Sequence, residues 1–470
     1  MNVLYLHTHD TGRVVSPYGY AVETPRIQEF CEDAMLFQRA FCVAPTCSPS
    51  RAGLLTGTYP HQNGMLGLAQ RGFRIDGSRH LARLLAHEGF LSVLCGVQHE
   101  VGYYTDHQLA PEALGYEMDL TTDASGYAEK DLVVWDRRNA ERLAGWLRSY
   151  DGERPFFVSF GQHATHRAWP DADPGVADYA QPPVNIPNNE VTRADYACFK
   201  KSVSMADANY GLVLDALRES GRFEDTIVVL TTDHGLAYPF EKCTLLDAGT
   251  GVLLAMRVPG SRAQGRSFDG LVSHIDVVPT LLDLLGIEPP DYLEGTSHAG
   301  IFRGEQDPGD GAVFAEINFH TSYEPVRSVR TDRYKYLRFF DAEWLRLNQS
   351  NIDGSIVKNY YEENLGLADV TKDAECLYDL AYDTFETNNV AEDPRYADVL
   401  DEMRARLDDF MRRTGDPLLE GPIQVRPEWK GEPRGGVGGG ALPGGGGGPG
   451  PGTQRLPRGS RVGYERGRTA

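Results

Sequence analysis

Between residues 2 and 285 the chain alternates short apolar runs with longer amphipathic stretches, and this alternation restricts it to few architectures. Residues 2–7, 91–94, 155–160, 226–230 and 251–258 are short runs rich in Val, Leu and Phe with little polar interruption, the pattern of strands covered on both faces. Between them lie helical patterns. Thr24 and Pro25 form a helix start, with a capping hydroxyl followed by proline at the first helical position, and Ile27, Phe30, Cys31 and Met35 continue one face. Ser78 caps a helix through Leu81, Leu84 and Leu85 that stops at Gly89. Residues 135–150, 192–220 and 274–285 read as further helices, the last two stopped by Gly221 and Gly286. Strands alternating with helices imply right-handed crossovers and an α/β fold, a mostly parallel sheet sandwiched by helices.

After about residue 310 the pattern changes. Residues 328–338 and 375–380 read as a small antiparallel sheet, and 395–413 as an amphipathic helix with Leu400, Met403, Leu407 and Met411 on one side. The expected division is a catalytic domain over 1–310, a smaller C-terminal α+β subdomain over 311–418, and a Gly/Pro-rich tail over 419–470 that cannot bury enough surface to order. The net charge is −21 and the tail is itself basic, so the remainder is more acidic still. Such a surface excludes nucleic acid and anionic membrane as expected partners, and an anionic substrate would need positive charge supplied locally. Seven cysteines without paired spacing do not suggest a disulfide framework. No signal peptide or membrane-length apolar run is visible, so a cytoplasmic location is expected.

Ligands of open α/β sheets bind beyond the carboxyl ends of the strands. Here that position repeatedly carries ionisable groups: His9-Asp10, His99-Glu100, His163 with His166, and Asp233-His234. Each pair alone fits a polar loop; together they form a constellation.

Residues 45–57 read Pro-Thr-Cys-Ser-Pro-Ser-Arg-Ala-Gly-Leu-Leu-Thr-Gly. A buried structural thiol at Cys47 would not need Pro49, Ser50 and Arg51 beside it. Cys-x-Pro-Ser-Arg resembles the signature of type I, formylglycine-dependent sulfatases of the alkaline phosphatase superfamily. The continuation through Tyr59-Pro-His-Gln-Asn-Gly-Met65 is most similar to their heparan N-sulfatase (sulfamidase) branch. The resemblance implies that Cys47 is converted to formylglycine by a formylglycine-generating enzyme. It implies one divalent ion, calcium first with manganese, magnesium or zinc open, held by His9, Asp10, residue 47, Asp233 and His234. Thr232-Asp-His-Gly235 matches the family metal motif, whereas His9-Asp10-Thr-Gly12 stands where the family has two aspartates, so His9 makes the site less negative. Catalytic roles fall on Cys47, Arg51, His99, His166 and Lys242, with His320 and Arg167 as substrate contacts. Gly96-Val-Gln-His99 departs from the family's Gly-Lys-x-His: Val97 removes a cation, for which Arg167 is a candidate replacement. The other six cysteines are expected to be plain thiols.

The implied chemistry is attack on sulfur by one hydroxyl of a hydrated aldehyde, acidified by the metal and Arg51. His166 or Lys242 protonates the leaving group, and His99 takes the proton of the second hydroxyl so that collapse expels sulfate. The leading reading is a sulfatase acting on a sulfate ester or sulfamate, of a small molecule or a sulfated sugar. A phosphonate or phosphate ester hydrolase on the same scaffold is the alternative enzyme. A binding protein in which Cys47 stays a thiol is the non-enzymatic one.

Overall fold

The computed structural model describes residues 1–105 and 109–432. Its larger sheet contains β1 (Asn2–Thr8), β2 (Met35–Phe41), β3 (Leu91–Gly96), β4 (Met118–Asp119), β5 (Phe156–Gly161), β6 (Thr226–Thr232), β7 (Leu254–Arg257) and β8 (Arg266–Ser273). Their order is β4-β3-β5-β1-β6-β7-β2-β8, and β7 alone runs against the others. The helices that frame the cores and the site are α1 (Pro25–Cys31), α2 (Cys47–Thr56), α3 (Leu81–His87), α4 (Leu132–Ser149), α5 (Glu190–Glu219), α6 (Val277–Leu285) and α7 (Ala397–Thr414).

Every residue of β1, β5 and β6 is buried, and their alternate side chains feed two cores. Leu4, Leu6, Val158, Phe160, Val228 and Leu230 pack against Leu143 and Leu147 of α4 and Val203, Val213 and Leu217 of α5. Val3, Tyr5, Phe157, Ile227 and Val229 face Leu54 and Leu55 of α2, Leu85 of α3 and Leu281 and Leu282 of α6. Each such side chain gains about 1.5–3 kcal/mol from burial, so a two-faced strand contributes to both cores at once.

A second sheet, antiparallel in the order β12-β11-β10-β9, contains β9 (Val313–Phe319), β10 (Tyr323–Arg330), β11 (Tyr334–Phe339) and β12 (Glu375–Asp379). One face lies under α7, where Val329, Tyr336 and Leu377 meet Leu400, Met403, Leu407, Phe410 and Met411. The other face packs Ile317, Val326, Leu337 and Cys376 on Leu245 of the larger unit. Among the described residues no helix is long and apolar enough to cross a membrane.

Several local expectations shift. The first helix stops at Cys31, and Met35 instead opens β2, where it pairs with β7 and β8. Thr24 does not cap it; Asp207 of α5 accepts the Arg26 and Ile27 N–H groups at 3.1 and 2.7 Å. The helix expected to start at Ser78 starts at Leu81, capped by the His80 ring, which accepts from Ala82 N–H. The small antiparallel sheet expected from 328–338 and 375–380 is present, with the first stretch forming the hairpin of β10 and β11. The Gly/Pro-rich segment does not lose order at residue 419. Trp429 stacks on Phe73 with ring centroids 4.5 Å apart, and Glu432 N–H donates to the Thr321 carbonyl at 2.7 Å. Trp429 is partly buried there and packs with Phe73, Phe319 and Ile423; residues 433–470 lie outside the described residues.

Arg327 of β10 is fully buried and fastens the two units. It forks onto Asp416 and lies 3.7 Å from Glu316, which itself pairs with His61 in the segment after α2. Burial raises the Glu316 carboxyl, but His61 and Arg327 outweigh it and hold it down to about 2. Its contribution to stability is therefore complete above the ordinary carboxylate value of 4.5 and lost as the pH falls through about 2. Arg327→Met leaves two carboxylates buried without their cation and is expected to cost about 3–5 kcal/mol in denaturant unfolding at neutral pH. A loss below 1 kcal/mol contradicts this assignment.

Candidate active site

The site lies where β1 and β6 end side by side. Their register pairs Thr8 with Thr232, so His9-Asp10 and Asp233-His234 emerge together. Asp233 is the hub: its Oδ1 accepts the Asp10 N–H at 2.8 Å, and its Oδ2 lies 3.0 Å from His9 Nδ1. Asp10 has φ 49°, a left-handed conformation unusual outside glycine, which the bond to Asp233 helps hold. His234 Nε2 lies 3.4 Å from Asp10 Oδ1 and 3.4 Å from Cys47 Sγ.

Cys47 is the first residue of α2, and all ten residues of that helix are buried. The signature residues fix it there. Ser50 Oγ donates to the Asp233 carbonyl at 2.5 Å. Arg51 Nη2 donates to the Thr8 carbonyl at 2.9 Å and to Asp233 Oδ2 at 3.1 Å, and Nη1 meets His7 Nδ1. Burial pushes the Cys47 thiol well above its ordinary value, with Lys242 the main opposing influence.

Ligand atoms of His9, Asp10, Cys47 and Asp233 all lie within 4.8 Å of one another, fully enclosed. Asp10 Oδ1 and His9 Nε2 have no hydrogen-bond partner. Burial, reinforced by Arg51, lowers His9 well below the ordinary imidazole value and leaves it neutral, the form that ligates. Asp233 stays ionised because His234, Arg51 and His9 outweigh burial. Converging lone pairs without partners in a buried pocket fit a divalent cation.

The remaining sequence candidates are gathered around this cluster, with one exception. Lys242 Nζ binds Asp10 Oδ2 at 3.0 Å and Asp353 Oδ2 at 2.9 Å. Burial lowers its affinity for the proton, yet those two carboxylates hold it well above the ordinary lysine value. The His99 and His166 rings lie 5.8 and 5.4 Å from His9. His99 Nε2 bonds Gln70 Oε1 at 2.8 Å, which assigns the proton to Nε2, and its Nδ1 has no partner. Burial and Arg51 keep His99 neutral. His320, at the end of β9, is buried and lowered to about 3 by burial and Lys242. Arg167 is the exception: its guanidinium forks onto Asp195 at 3.0 and 2.6 Å and stacks 3.7 Å over Trp169, so it does not replace the missing cation. Val97 packs with Tyr104, Leu132 and Trp135 in an apolar cluster, which explains why a lysine is absent there.

Sequence reasoning missed Asp353, Gln70 and Tyr104, and placed His163 in the constellation without giving it a role. Asp353 reaches Lys242 from the segment after β11, a lone aspartate in Asn351-Ile-Asp-Gly354 that carries no motif. Tyr104 and His163 rings lie 5.8 and 6.4 Å from the His9 ring and complete an imidazole-lined wall.

A family model described as Sulfatase matches residues 1–287, and one described as N-sulphoglucosamine sulphohydrolase, C-terminal, matches 233–373. The human N-sulphoglucosamine sulphohydrolase is 28% identical over 484 aligned positions, spanning 91% of this chain and 93% of that protein. Two solved structures share the fold. A 2-O GAG sulfatase has TM-score 0.68 and 23% identity over 91% of this chain and 95% of its own. The phosphonate monoester hydrolase of Agrobacterium radiobacter has TM-score 0.64 and 21% identity over 91% of this chain and 100% of its own.

Arg51→Lys keeps the charge but loses the fork that holds Asp233 and the Thr8 carbonyl together. It is expected to lower metal affinity or turnover by about 10–100-fold, read from metal content and kcat on the same preparation. Unchanged values for both contradict the role given to Arg51.

Proposed function

The chain belongs to the sulfatase family, and on that premise we propose that it hydrolyses a sulfate ester or sulfamate carried by a sugar, with residue 47 as formylglycine and one divalent ion. The observation that carries this reading is the position of Cys47, at the start of α2 and within 4.8 Å of ligand atoms from His9, Asp10 and Asp233. Similarity to the human N-sulphoglucosamine sulphohydrolase along most of both chains supports a sulfated sugar as substrate. Converted to formylglycine, residue 47 would supply a hydrated aldehyde hydroxyl as nucleophile.

His9, Asp10, Asp233 and His234 would hold the ion together with residue 47. A divalent cation there would neutralise charge on sulfuryl oxygens and make a bound hydroxyl more acidic. Calcium is the ion implied by the family resemblance, and the imidazoles of His9 and His234 widen the site to manganese and zinc.

The chain's own residues divide the rest of the work. Arg51 positions Asp233. Lys242 offers a fixed cation to the substrate anion, and His166 protonates the leaving oxygen or nitrogen. His99, neutral and with Nδ1 unpartnered, is the base. His320 and Asp353 bring the second unit to the substrate side of Lys242 and contact the sugar. Arg167 braces the loop that carries His166 through Asp195.

The competing reading is phosphonate ester hydrolysis, favoured by Val97 in place of the family lysine. The two are separated by kcat/KM on an aryl sulfate and on the matching aryl phosphonate. The sulfate is expected to be preferred, and a clear phosphonate preference overturns the proposal. Cys47→Ala leaves no heteroatom from which to form the aldehyde and is expected to show no steady turnover; sustained turnover by it contradicts the nucleophile assigned.

A further inference from the structure

His298 lies in the connection between α6 and β9, and shares no residue with the site above. It is 3% exposed. Its Nδ1 lies 2.9 Å from Asp307 Oδ2, the arrangement in which a carboxylate takes the proton of one ring nitrogen and aims the other. The other nitrogen, Nε2, has no hydrogen-bond partner. It points at Asp276 Oδ2, 3.6 Å away, and Asp310 Oδ1, 3.9 Å away, and the three ligand atoms lie within 4.8 Å of one another.

Asp276 is fixed at its carboxylate and Asp310 at its backbone. Asp276 accepts the Ser273 and Thr296 N–H groups at 2.6 and 2.8 Å at the start of α6. Asp310 is anchored by its own N–H, which donates to the Leu271 carbonyl of β8 at 2.8 Å. The gaps are too long for hydrogen bonds to Nε2. They are close to the separation of about 3.3 Å between neighbouring ligands of a tetrahedral zinc with bonds of about 2.0–2.1 Å. Three aspartates thus stand around one imidazole in a mostly buried place.

We propose that Asp276, His298 and Asp310 form a second metal site, which takes zinc with one water completing the shell and Asp307 orienting His298. The site ties the start of α6 to the strand that leads into the second sheet, so its ion is structural. Ligation displaces any proton on Nε2, and zinc uptake here releases it.

The test uses the full chain carrying Asp10→Asn and Asp233→Asn, which disarm the first site, stripped with chelator and titrated with zinc alone. One equivalent is expected to bind, with a rise in the thermal unfolding midpoint. Adding His298→Gln to that chain, or separately Asp310→Asn, is expected to abolish both the bound equivalent and the rise, with circular dichroism confirming that each variant is folded. The proposal is overturned if the disarmed chain binds no zinc. It is equally overturned if binding survives either added substitution, which places the ion elsewhere.

Discussion

The bond network of one buried guanidinium governs the geometry of the site. Arg51, 2% exposed, joins α2 to the ends of two strands by gripping the Thr8 carbonyl of β1 and the Asp233 carboxylate beyond β6. Asp233 in turn holds the left-handed turn at Asp10 and faces His9. Loss of the cation would leave Asp233 charged and partly unpaired in a water-free place, a cost of about 3–5 kcal/mol that would be relieved by movement of the very groups that converge on Cys47. The Ser and Arg of the signature therefore act on position as much as on charge: they set where residue 47 sits relative to four potential ligands.

Charge balance explains why so acidic a protein suits an anionic substrate. Asp10, Asp233 and Asp353 face two fixed cations, Arg51 and Lys242, while burial keeps His9, His99 and His320 neutral. The remaining negative charge and the free lone pairs on Asp10 and His9 are what a cation would satisfy. A divalent cation bound there would turn the pocket positive toward a sulfate, in a chain whose net charge is −21.

The central strands were legible because burial on both faces leaves an uninterrupted apolar run, as in β1 and β6. β2, β8 and β9 escaped because they are interrupted: β2 carries Gln38 and Arg39, and the first half of β8 is polar and solvent-facing. Met35 fits a helical face as well as a strand, and only its pairing with Met256 decides. The cysteine block and the paired ionisable residues after each strand located the site, since strand ends converge by topology. Asp353 was not legible, because its approach to Lys242 depends on how the second sheet docks, a contact 111 residues away in sequence. Arg167 carried the right charge at the right loop but was already committed to Asp195, which no spacing discloses.

The account turns on the chemical state of residue 47. Its most direct test is mass spectrometry of the tryptic peptide spanning residues 40–51 after alkylation of protein from its own host, with Cys42 in the same peptide as the control. The account predicts an alkylated Cys42 beside a lighter carbonyl at residue 47. Alkylation of both cysteines would contradict it and leave the site without its nucleophile.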